Sequence, residues 1–319
     1  MSAHGTAAAT DSGTDTENRA SVLIGVAAAL ATVLAWAGWI VGTRFAATAE
    51  LPLAWVGLFR FIVPTLVLAP FWIRMGPLPK GVPLWLLALV VVGSGAPFFA
   101  VVAAGLQFAP VAEAGVLLPG TMGLWVALLS KLILKERFGR DRVIGLALAA
   151  FGVVLIAAPV FLAGHGASGT GRLLLPVGAL MWAVYTLAYR RTGLPPLAAA
   201  GIACFWSTVM TLPVALWTGV GPLLSHPRDE ILIQLFVQGV SSGLIALVGY
   251  GIAVSRLGGS RAAAFSSLAP ALAALIAIPA LGEIPAPIVA VGVAVTVAGV
   301  ALSSGALRGV VARLVRSGR

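Results

Sequence analysis

The residue with the clearest chemical potential in this sequence is a single arginine inside an apolar segment. Arg60 interrupts the run Ala54–Ile73, which contains no other charge. A charge inside a segment of this kind is costly in lipid and by default marks a functional position. We expect Arg60 either to bind an anionic group of a ligand, such as a carboxylate, or to extend to the outer surface of the membrane and pair with Glu50. The sequence leaves both alternatives open.

Aromatic residues are the second group of candidates for ligand contact. Trp36 and Trp39 lie three residues apart in one apolar segment, and Trp182 and Tyr185 have the same spacing in another. Residues three apart lie on the same side of a helix. If the two faces meet across a cavity, they can stack on an apolar or aromatic ligand; packing and the interfacial aromatic belt are the alternatives. The other candidate substrate-binding residues are Phe98, Phe99, Gln107, Tyr250 and Ser266.

Other kinds of chemistry lack the residues that they need. None of the ten acidic residues lies deep in an apolar run, and neither do His4, His165 and His226, so paired carboxylates or an HExxH helix are not available. The single cysteine, Cys204, excludes a disulfide framework and a multi-cysteine metal site. A Walker A sequence for ATP hydrolysis is also missing. We therefore predict no enzyme activity, no cofactor and no metal, and no buried carboxylate relay for protons.

The overall composition places these residues in a membrane protein. The chain of 319 residues is 60% hydrophobic and only 9% charged, with a mean hydropathy of +1.05. A soluble domain is about 45–50% apolar and about 25% charged. Burial grows too slowly with chain length for a soluble fold to cover this much apolar surface. The lipid bilayer is therefore the expected surroundings of this chain.

The apolar runs predict an all-α protein with ten membrane-spanning helices. About 20 apolar residues cross a bilayer as a helix. The ten runs are Val22–Thr43, Ala54–Ile73, Leu84–Phe108, Val116–Leu134, Val143–Leu162, Leu173–Tyr189, Leu197–Trp217, Ile231–Ser255, Ala262–Leu281 and Ala286–Ser303. An even number of spans puts both termini on one side. Residues 1–21, rich in small and acidic residues, are expected to form a disordered cytoplasmic tail, and residues 307–319 a basic one.

The distribution of basic residues indicates on which side of the membrane the two termini lie. With both termini inside, only Arg44, Arg172 and Arg228 of the 20 Lys and Arg residues fall in outer segments, and Arg60 lies within a span. Cytoplasmic loops carry such an excess of basic residues in membrane proteins. These loops also attract anionic lipid. The net charge of +10 therefore does not require a nucleic-acid partner.

The two halves of the sequence repeat at an offset of 147 residues. A spacing of nine and then seven residues occurs in two series, Glu136, Gly145, Gly152 and Glu283, Gly292, Gly299. Arg44 falls on Arg191 at the same offset. Each repeat, residues 22–163 and 171–306, contains five predicted spans, and an odd number inverts the second relative to the first. Inverted repeats are typical of secondary transporters, which bind substrate near the midplane between the repeats.

Small residues and prolines indicate how the helices pack and where they bend. In each series the two glycines lie two helical turns apart and so share a face. Small residues let helices approach closely in lipid. We predict helix–helix contacts there, either within the chain or between two copies, so that the protein is a monomer or a homodimer. Pro119 and Pro270, inside predicted spans, are expected to interrupt the helical hydrogen bonds.

These features together resemble a known family. The segment Leu51-Pro52-Leu53 followed by Phe59-Arg60-Phe61, and the ending of each half in a glutamate and two glycines, are similar to the EamA-type branch of the drug/metabolite transporter superfamily. The resemblance covers about residues 22–304. It implies ten helices around a central cavity, and export of small metabolites across a bacterial cytoplasmic membrane by alternating access. It favours amino acids, including aromatic or apolar ones, as substrate; the alternative is a multidrug or cationic-compound exporter.

Overall fold

The structure is a computed structural model that describes residues 9–133, 135, 138–162, 167–257, 262, 265–266 and 268–303. Every regular element within these residues is a helix. The α-helices are α1 (Ala9–Thr48), α2 (Leu53–Val67), α3 (Ala69–Met75), α4 (Leu84–Ser94), α5 (Ala96–Leu106), α6 (Val111–Gly115), α7 (Thr121–Ile133), α8 (Arg140–Leu162), α9 (Ala167–Thr192), α10 (Pro196–Thr218), α11 (Gly221–Leu224), α12 (Arg228–Gln234), α13 (Ala246–Leu257), α14 (Ala269–Leu281) and α15 (Pro287–Ser303). Two π-helical segments join neighbouring helices, π1 (Val116–Gly120) and π2 (Leu235–Ile245).

Several of these helices can cross a membrane. In the described part of the chain, six stretches are long and apolar enough: Ala20–Thr48, Leu84–Leu106, Val111–Ile133, Gly171–Thr192, Pro196–Thr218 and Arg228–Leu257. The pair α2 and α3, bent by 75°, makes a seventh if it is one span. The chain is therefore an all-helical, multi-pass membrane protein. The predicted count of ten is larger because it includes α8 and the shorter apolar helices α14 and α15.

The N-terminal end of α1 differs from the expectation. Residues 1–21 were expected to form a disordered tail, whereas α1 begins at Ala9 and continues into the apolar run. Extending an existing helix adds one hydrogen bond for each residue fixed, while starting a new one is costly. The apolar segment therefore supplies the nucleus from which a polar sequence continues as helix. Residues 1–8 and the predicted basic tail 307–319 lie outside the described residues.

The helices α8 and α15 pack against each other through the four repeated glycines. A methyl group added at Gly152 would lie 2.8 Å from the carbonyl oxygen of Gly292, and one added at Gly299 would lie 2.7 Å from that of Gly145. The helices are antiparallel, because Gly145 meets Gly299 and Gly152 meets Gly292. The predicted contact thus lies within the chain. It is also reciprocal, since the offset of 147 residues exchanges the two pairs, as a two-fold axis would.

The third predicted span is broken in its middle. The helix α4 ends at Ser94 and α5 begins at Ala96, with Gly95 between them. The hydroxyl of Ser207 on α10 accepts a hydrogen bond of 3.0 Å from the amide of Ala96, and it donates its own proton to the carbonyl of Ala203. A backbone group freed in the membrane needs such a partner. Discontinuous helices of this kind line substrate sites in transporters.

The two prolines behave differently from each other. Pro119 lies inside π1, where the wider turn accommodates the missing amide hydrogen, so the predicted interruption is present. Pro270 lies in the first turn of α14, where no intrahelical bond is lost. Its Cα would lie 3.1 Å from a methyl group added at Gly115. The position of Pro270 therefore marks the start of a described helix and a close approach to α6.

Ser207→Ala is expected to destabilise the protein. The variant leaves the buried amide of Ala96 without a partner, and an unsatisfied buried group costs about 1–3 kcal/mol. Thermal unfolding in detergent measures the loss. Ser94→Ala is the matched control, because the Ser94 hydroxyl only bonds the carbonyl of Val90 in its own helix. Equal melting temperatures for the two variants would contradict a role of Ser207 in holding the break.

Candidate functional site

The site is built around Arg60. The helix α2 places this residue seven positions after Leu53, about 10 Å from the start of the helix. The guanidinium carbon lies 4.5 Å from the centre of the Trp39 ring, and Nη1 donates a hydrogen bond of 2.7 Å to the hydroxyl of Ser242. Among the described residues no carboxylate pairs with Arg60, and Glu50, its expected partner, is exposed at the end of α1. A guanidinium has five N–H donors, so most remain available.

Gln234, the last residue of α12, and Gln238 of π2 form a buried polar face against α1. Gln234 and Gln238 are both fully buried. The Gln234 Nε2 donates to the carbonyl of Gly42 at 2.8 Å. The Gln238 Nε2 donates to the hydroxyl of Thr43 at 3.1 Å and to the Oε1 of Gln234 at 3.2 Å. Two buried polar atoms here have no partner, the Oε1 of Gln238 and the indole Nε1 of Trp39.

An aromatic chain leads away from Arg60 into the second half of the sequence. The ring centres of Trp39 and Phe98 are 6.2 Å apart, and those of Phe98 and Trp182 are 5.3 Å apart. The chain continues from Trp182 to Tyr185 at 5.1 Å and to Tyr189 at 6.0 Å. Trp39 and Phe98 are almost completely covered and so belong to the packed core, whereas Trp182 and Tyr185 are half-buried. The half-buried rings are the ones with surface left for a ligand.

The structure brings five of the ten predicted site residues into one chain of contacts. The other five lie outside that chain, although Phe99 is linked to Arg60 through Phe61. The group in contact is Trp39, Arg60, Phe98, Trp182 and Tyr185. Trp36 instead packs on Tyr250, with ring centres 5.5 Å apart. Phe99 packs edge-on against Phe61 at 6.2 Å, in a second buried cluster.

Two polar candidates have other surroundings. The side chain of Gln107 is exposed, and the backbone carbonyl of this residue accepts a hydrogen bond from Arg44. The hydroxyl of Ser266 donates to the carbonyl of Ala262 at 3.2 Å, one turn earlier in the chain. Serine in a membrane span commonly bonds its own backbone in this way. Neither side chain contacts the group around Arg60 among the described residues.

A separate ion-pair cluster joins chain segments at the end of the molecule predicted to lie outside. Arg44 pairs with Glu283 at 2.8 Å and also donates to the carbonyl of Leu106 at 2.6 Å. The second oxygen of Glu283 accepts the amide of Val111 at 2.7 Å. These contacts tie the end of α1, the segment after α5 and the segment after α14.

The site lies between the two sequence halves. Trp39, Arg60 and Phe98 come from the first half, while Trp182 and Ser242 come from the second. The contact of Arg60 with Ser242 also has a counterpart at the offset of 147 residues, the contact of Ser207 with the Gly95 break. Two-fold related halves produce such paired contacts.

Sequence reasoning missed the residues of the second-half polar face. Gln234, Gln238 and Ser242 are spaced four apart in an otherwise apolar span, a pattern that places them on one side of a helix. That periodicity was the available signal, because polar residues in a span face protein rather than lipid. As for metals, the described residues contain no group of three His, Cys, Asp or Glu side chains suited to a metal ion.

Comparison with known proteins places these features in a family context. Two stretches of the chain, residues 23–158 and 169–305, each match the EamA-like transporter family. An uncharacterized transporter of Archaeoglobus fulgidus is 28% identical over 282 residues, which cover 86% of this chain and 94% of that protein. A probable terminal-alkyne amino-acid exporter of Streptantibioticus cattleyicolor is 31% identical over 202 residues, which cover 57% of this chain and 63% of that protein.

The fold also has a counterpart among solved structures. A crystal structure whose name states no function superposes with a TM-score of 0.58 at 23% identity. The match covers 89% of this chain and 95% of that one. At this level of identity the likeness concerns the fold alone.

Proposed function

We propose, from the premise that this chain belongs to the EamA-like transporter family, that it exports amino acids with aromatic or apolar side chains. As a member of that family it is a membrane transporter and not an enzyme. The observation that carries the proposal is the Arg60 group, a guanidinium without a carboxylate partner among the described residues. It lies over the Trp39 ring, from which ring contacts lead through Phe98 to the half-buried Trp182 and Tyr185. A cationic donor suits the carboxylate of an amino acid, and the rings suit an apolar side chain.

The proposed architecture is ten helices in two inverted repeats, residues 22–163 and 171–306, around a central cavity. Three observations support it: the family matches each half separately, the four glycines make a reciprocal contact, and the contact of Arg60 with Ser242 has its counterpart at Ser207. Alternating access then exposes the site between the repeats to each side in turn. With basic loops inside, both termini lie in the cytoplasm of a bacterial cell.

Export of organic cations or drugs is the alternative, and Arg60 disfavours it. A cationic compound on the aromatic rings would lie close to a second positive charge in a medium of low dielectric constant, where repulsion is strong. The described residues around Arg60 offer no carboxylate to offset that repulsion. The amino-acid exporter among the relatives is consistent with the same preference.

Counterflow in proteoliposomes tests the proposed function. Vesicles loaded with one unlabelled amino acid at a time are expected to accumulate radiolabelled phenylalanine when the internal amino acid is aromatic or large and apolar. Because no acidic residue lies deep in the predicted spans, we expect exchange at equal pH on both sides. Trp182→Ala is expected to weaken exchange of phenylalanine roughly tenfold through the lost ring contact.

The control for Trp182→Ala is Trp217→Ala. Trp217 is 91% exposed at the end of α10, and removing it makes the same chemical change away from the site. Its exchange is expected to equal that of the unchanged protein. If folded wild-type protein exchanges no amino acid, the proposal is wrong, and stimulation by organic cations instead would favour the alternative.

A further inference from the structure

We infer that the site recognises both charged ends of a zwitterion, with the carboxylate on Arg60 and Trp39 and the ammonium on Gln238. This inference rests on the proposed function and deepens it, because it specifies an α-amino acid rather than an organic acid or an amine. Its starting point is two of the three buried polar side-chain atoms without partners among the described residues, the Oε1 of Gln238 and the Nε1 of Trp39; the third is the Oγ1 of Thr296, in the contact of α15 with α8. Such atoms are rare in folded proteins and require an explanation.

The hydrogen-bond network fixes which atom of Gln238 is left free. Thr43 donates its hydroxyl proton to the carbonyl of Trp39 at 2.7 Å, so its oxygen acts as an acceptor toward Gln238. Gln234 uses its amide nitrogen on the carbonyl of Gly42, so its oxygen also acts as an acceptor. A backbone carbonyl can only accept. Both neighbouring oxygens therefore accept hydrogen bonds from the nitrogen of Gln238, and the oxygen of Gln238 remains free to accept a hydrogen bond from a ligand.

The free groups on the other side of the site are donors. The indole nitrogen of Trp39 can only donate, and this side chain is 7% exposed. The guanidinium of Arg60 lies over the same ring and carries further donors beyond its bond to Ser242. Two donors, one of them charged, match a carboxylate. The site thus offers donors at one end and an acceptor at the other.

A short series of contacts links the two ends. Trp39 and Thr43 are one turn apart on α1, and Thr43 accepts a hydrogen bond from Gln238. Gln238 and Ser242 are one turn apart in π2. Ser242 in turn accepts a hydrogen bond from Arg60, which lies over the Trp39 ring. Side chains one turn apart are about 5–6 Å from each other. An α-amino acid carries its ammonium and carboxylate on a single carbon, so it can engage both ends at once.

The π-helical backbone strengthens the assignment. Gln238 and Ser242 lie inside π2, and π-helical segments occur frequently at functional sites. The apolar side chain of the ligand would extend past Phe98, which adjoins Trp39, toward the half-buried Trp182, which adjoins Phe98. The three parts of an aromatic amino acid therefore each have a separate set of residues to bind.

Competition in the counterflow assay tests this inference. The probes are phenylalanine, 3-phenylpropionate, which lacks the amino group, and phenethylamine, which lacks the carboxylate. In wild type, phenylalanine is expected to compete with labelled phenylalanine at least about tenfold better than either analogue. Gln238→Met keeps the length of the side chain and removes the acceptor, together with the two hydrogen bonds that its nitrogen donates to Thr43 and Gln234. It is expected to remove the advantage of phenylalanine over 3-phenylpropionate, while competition by 3-phenylpropionate stays unchanged.

Two further variants keep the test decisive. Thr296→Val replaces another buried polar side chain, in the contact of α15 with α8. It is expected to leave competition by all three probes unchanged. If Gln238→Met does not fold, Gln238→Glu replaces it as a test. The carboxylate loses the two hydrogen bonds donated by the Gln238 nitrogen but retains the acceptor, and it is expected to increase competition by phenethylamine.

The outcomes separate this inference from the proposed function. In Gln238→Met, an equal fall in competition by phenylalanine and by 3-phenylpropionate would leave the ratio of the two unchanged. That result would assign Gln238 to packing or to a bound water and overturn the inference alone. No competition by phenethylamine in Gln238→Glu would do the same. Absence of amino-acid exchange in folded wild type would overturn the proposed function and this inference with it.

Discussion

Arg60→Met is expected to lower the affinity for amino acids on the order of 100-fold while leaving the protein at least as stable as wild type. The loss follows because a hydrogen bond to a charged group contributes about 1.5–3 kcal/mol, and the carboxylate of the substrate would lose its cationic donor. Stability is retained because a charge within a span is costly to bury, and an apolar chain of similar length removes that cost. Counterflow and thermal unfolding, measured on the same preparation, report the two quantities.

Arg60→Lys and Arg228→Met complete the experiment on Arg60. Lysine keeps the charge without the planar pair of donors, so an intermediate affinity is expected. Arg228 is exposed at the start of α12, and its replacement by methionine is expected to leave exchange unchanged. Competition by phenethylamine is expected to be equal or stronger in Arg60→Met, because this probe has no carboxylate. Wild-type affinity for phenylalanine in Arg60→Met would show that Arg60 only makes packing contacts with Trp39 and Ser242 and does not bind the substrate.

Much of the structure was available from the sequence because lipid imposes simple rules. An uncharged run of about 20 residues predicts a helix wherever it occurs, and the family matches to both halves agree with the repeat found at an offset of 147 residues. Arg60 stood out since it was the only charge in its run. The glycines of α8 and α15 stood out through equal spacing. Each of these signals depends on residue type and position along the chain alone.

The details of the site depend on three-dimensional contacts that spacing leaves undetermined. Trp36 and Trp39 were expected to face one partner, yet Trp36 packs on Tyr250 and Trp39 on Phe98. Residues three apart differ by about 60° around a helix axis, which is enough to reach different neighbours in a bundle. The break at Gly95 was equally hidden, because it depends on the Ser207 hydroxyl arriving from another helix.

Gly299→Leu is expected to prevent α8 and α15 from packing. A methyl group at this position would already lie 2.7 Å from the carbonyl oxygen of Gly145, and it would also contact the backbone of Ala149. Backbone atoms cannot move aside as the end of a flexible side chain can, so the helices must separate along their length. Overpacking in a core costs about 1–3 kcal/mol and occasionally more. We expect about 3 kcal/mol or a loss of folded protein, measured by size-exclusion chromatography and thermal unfolding in detergent.

The repeat supplies both an internal comparison and a control for this variant. Gly152→Leu changes the position equivalent to Gly299 and is expected to have a similar effect, since it would approach the carbonyl of Gly292 at 2.8 Å. The double variant is expected to lose less free energy of unfolding than the two single variants lose together, because the first leucine has already separated the helices. Gly251→Leu, at a helical glycine with open space around it, is expected to remain folded. A well-folded Gly299→Leu beside a disrupted Gly152→Leu would contradict the reciprocal contact, because a leucine at either position would approach the backbone of the facing helix.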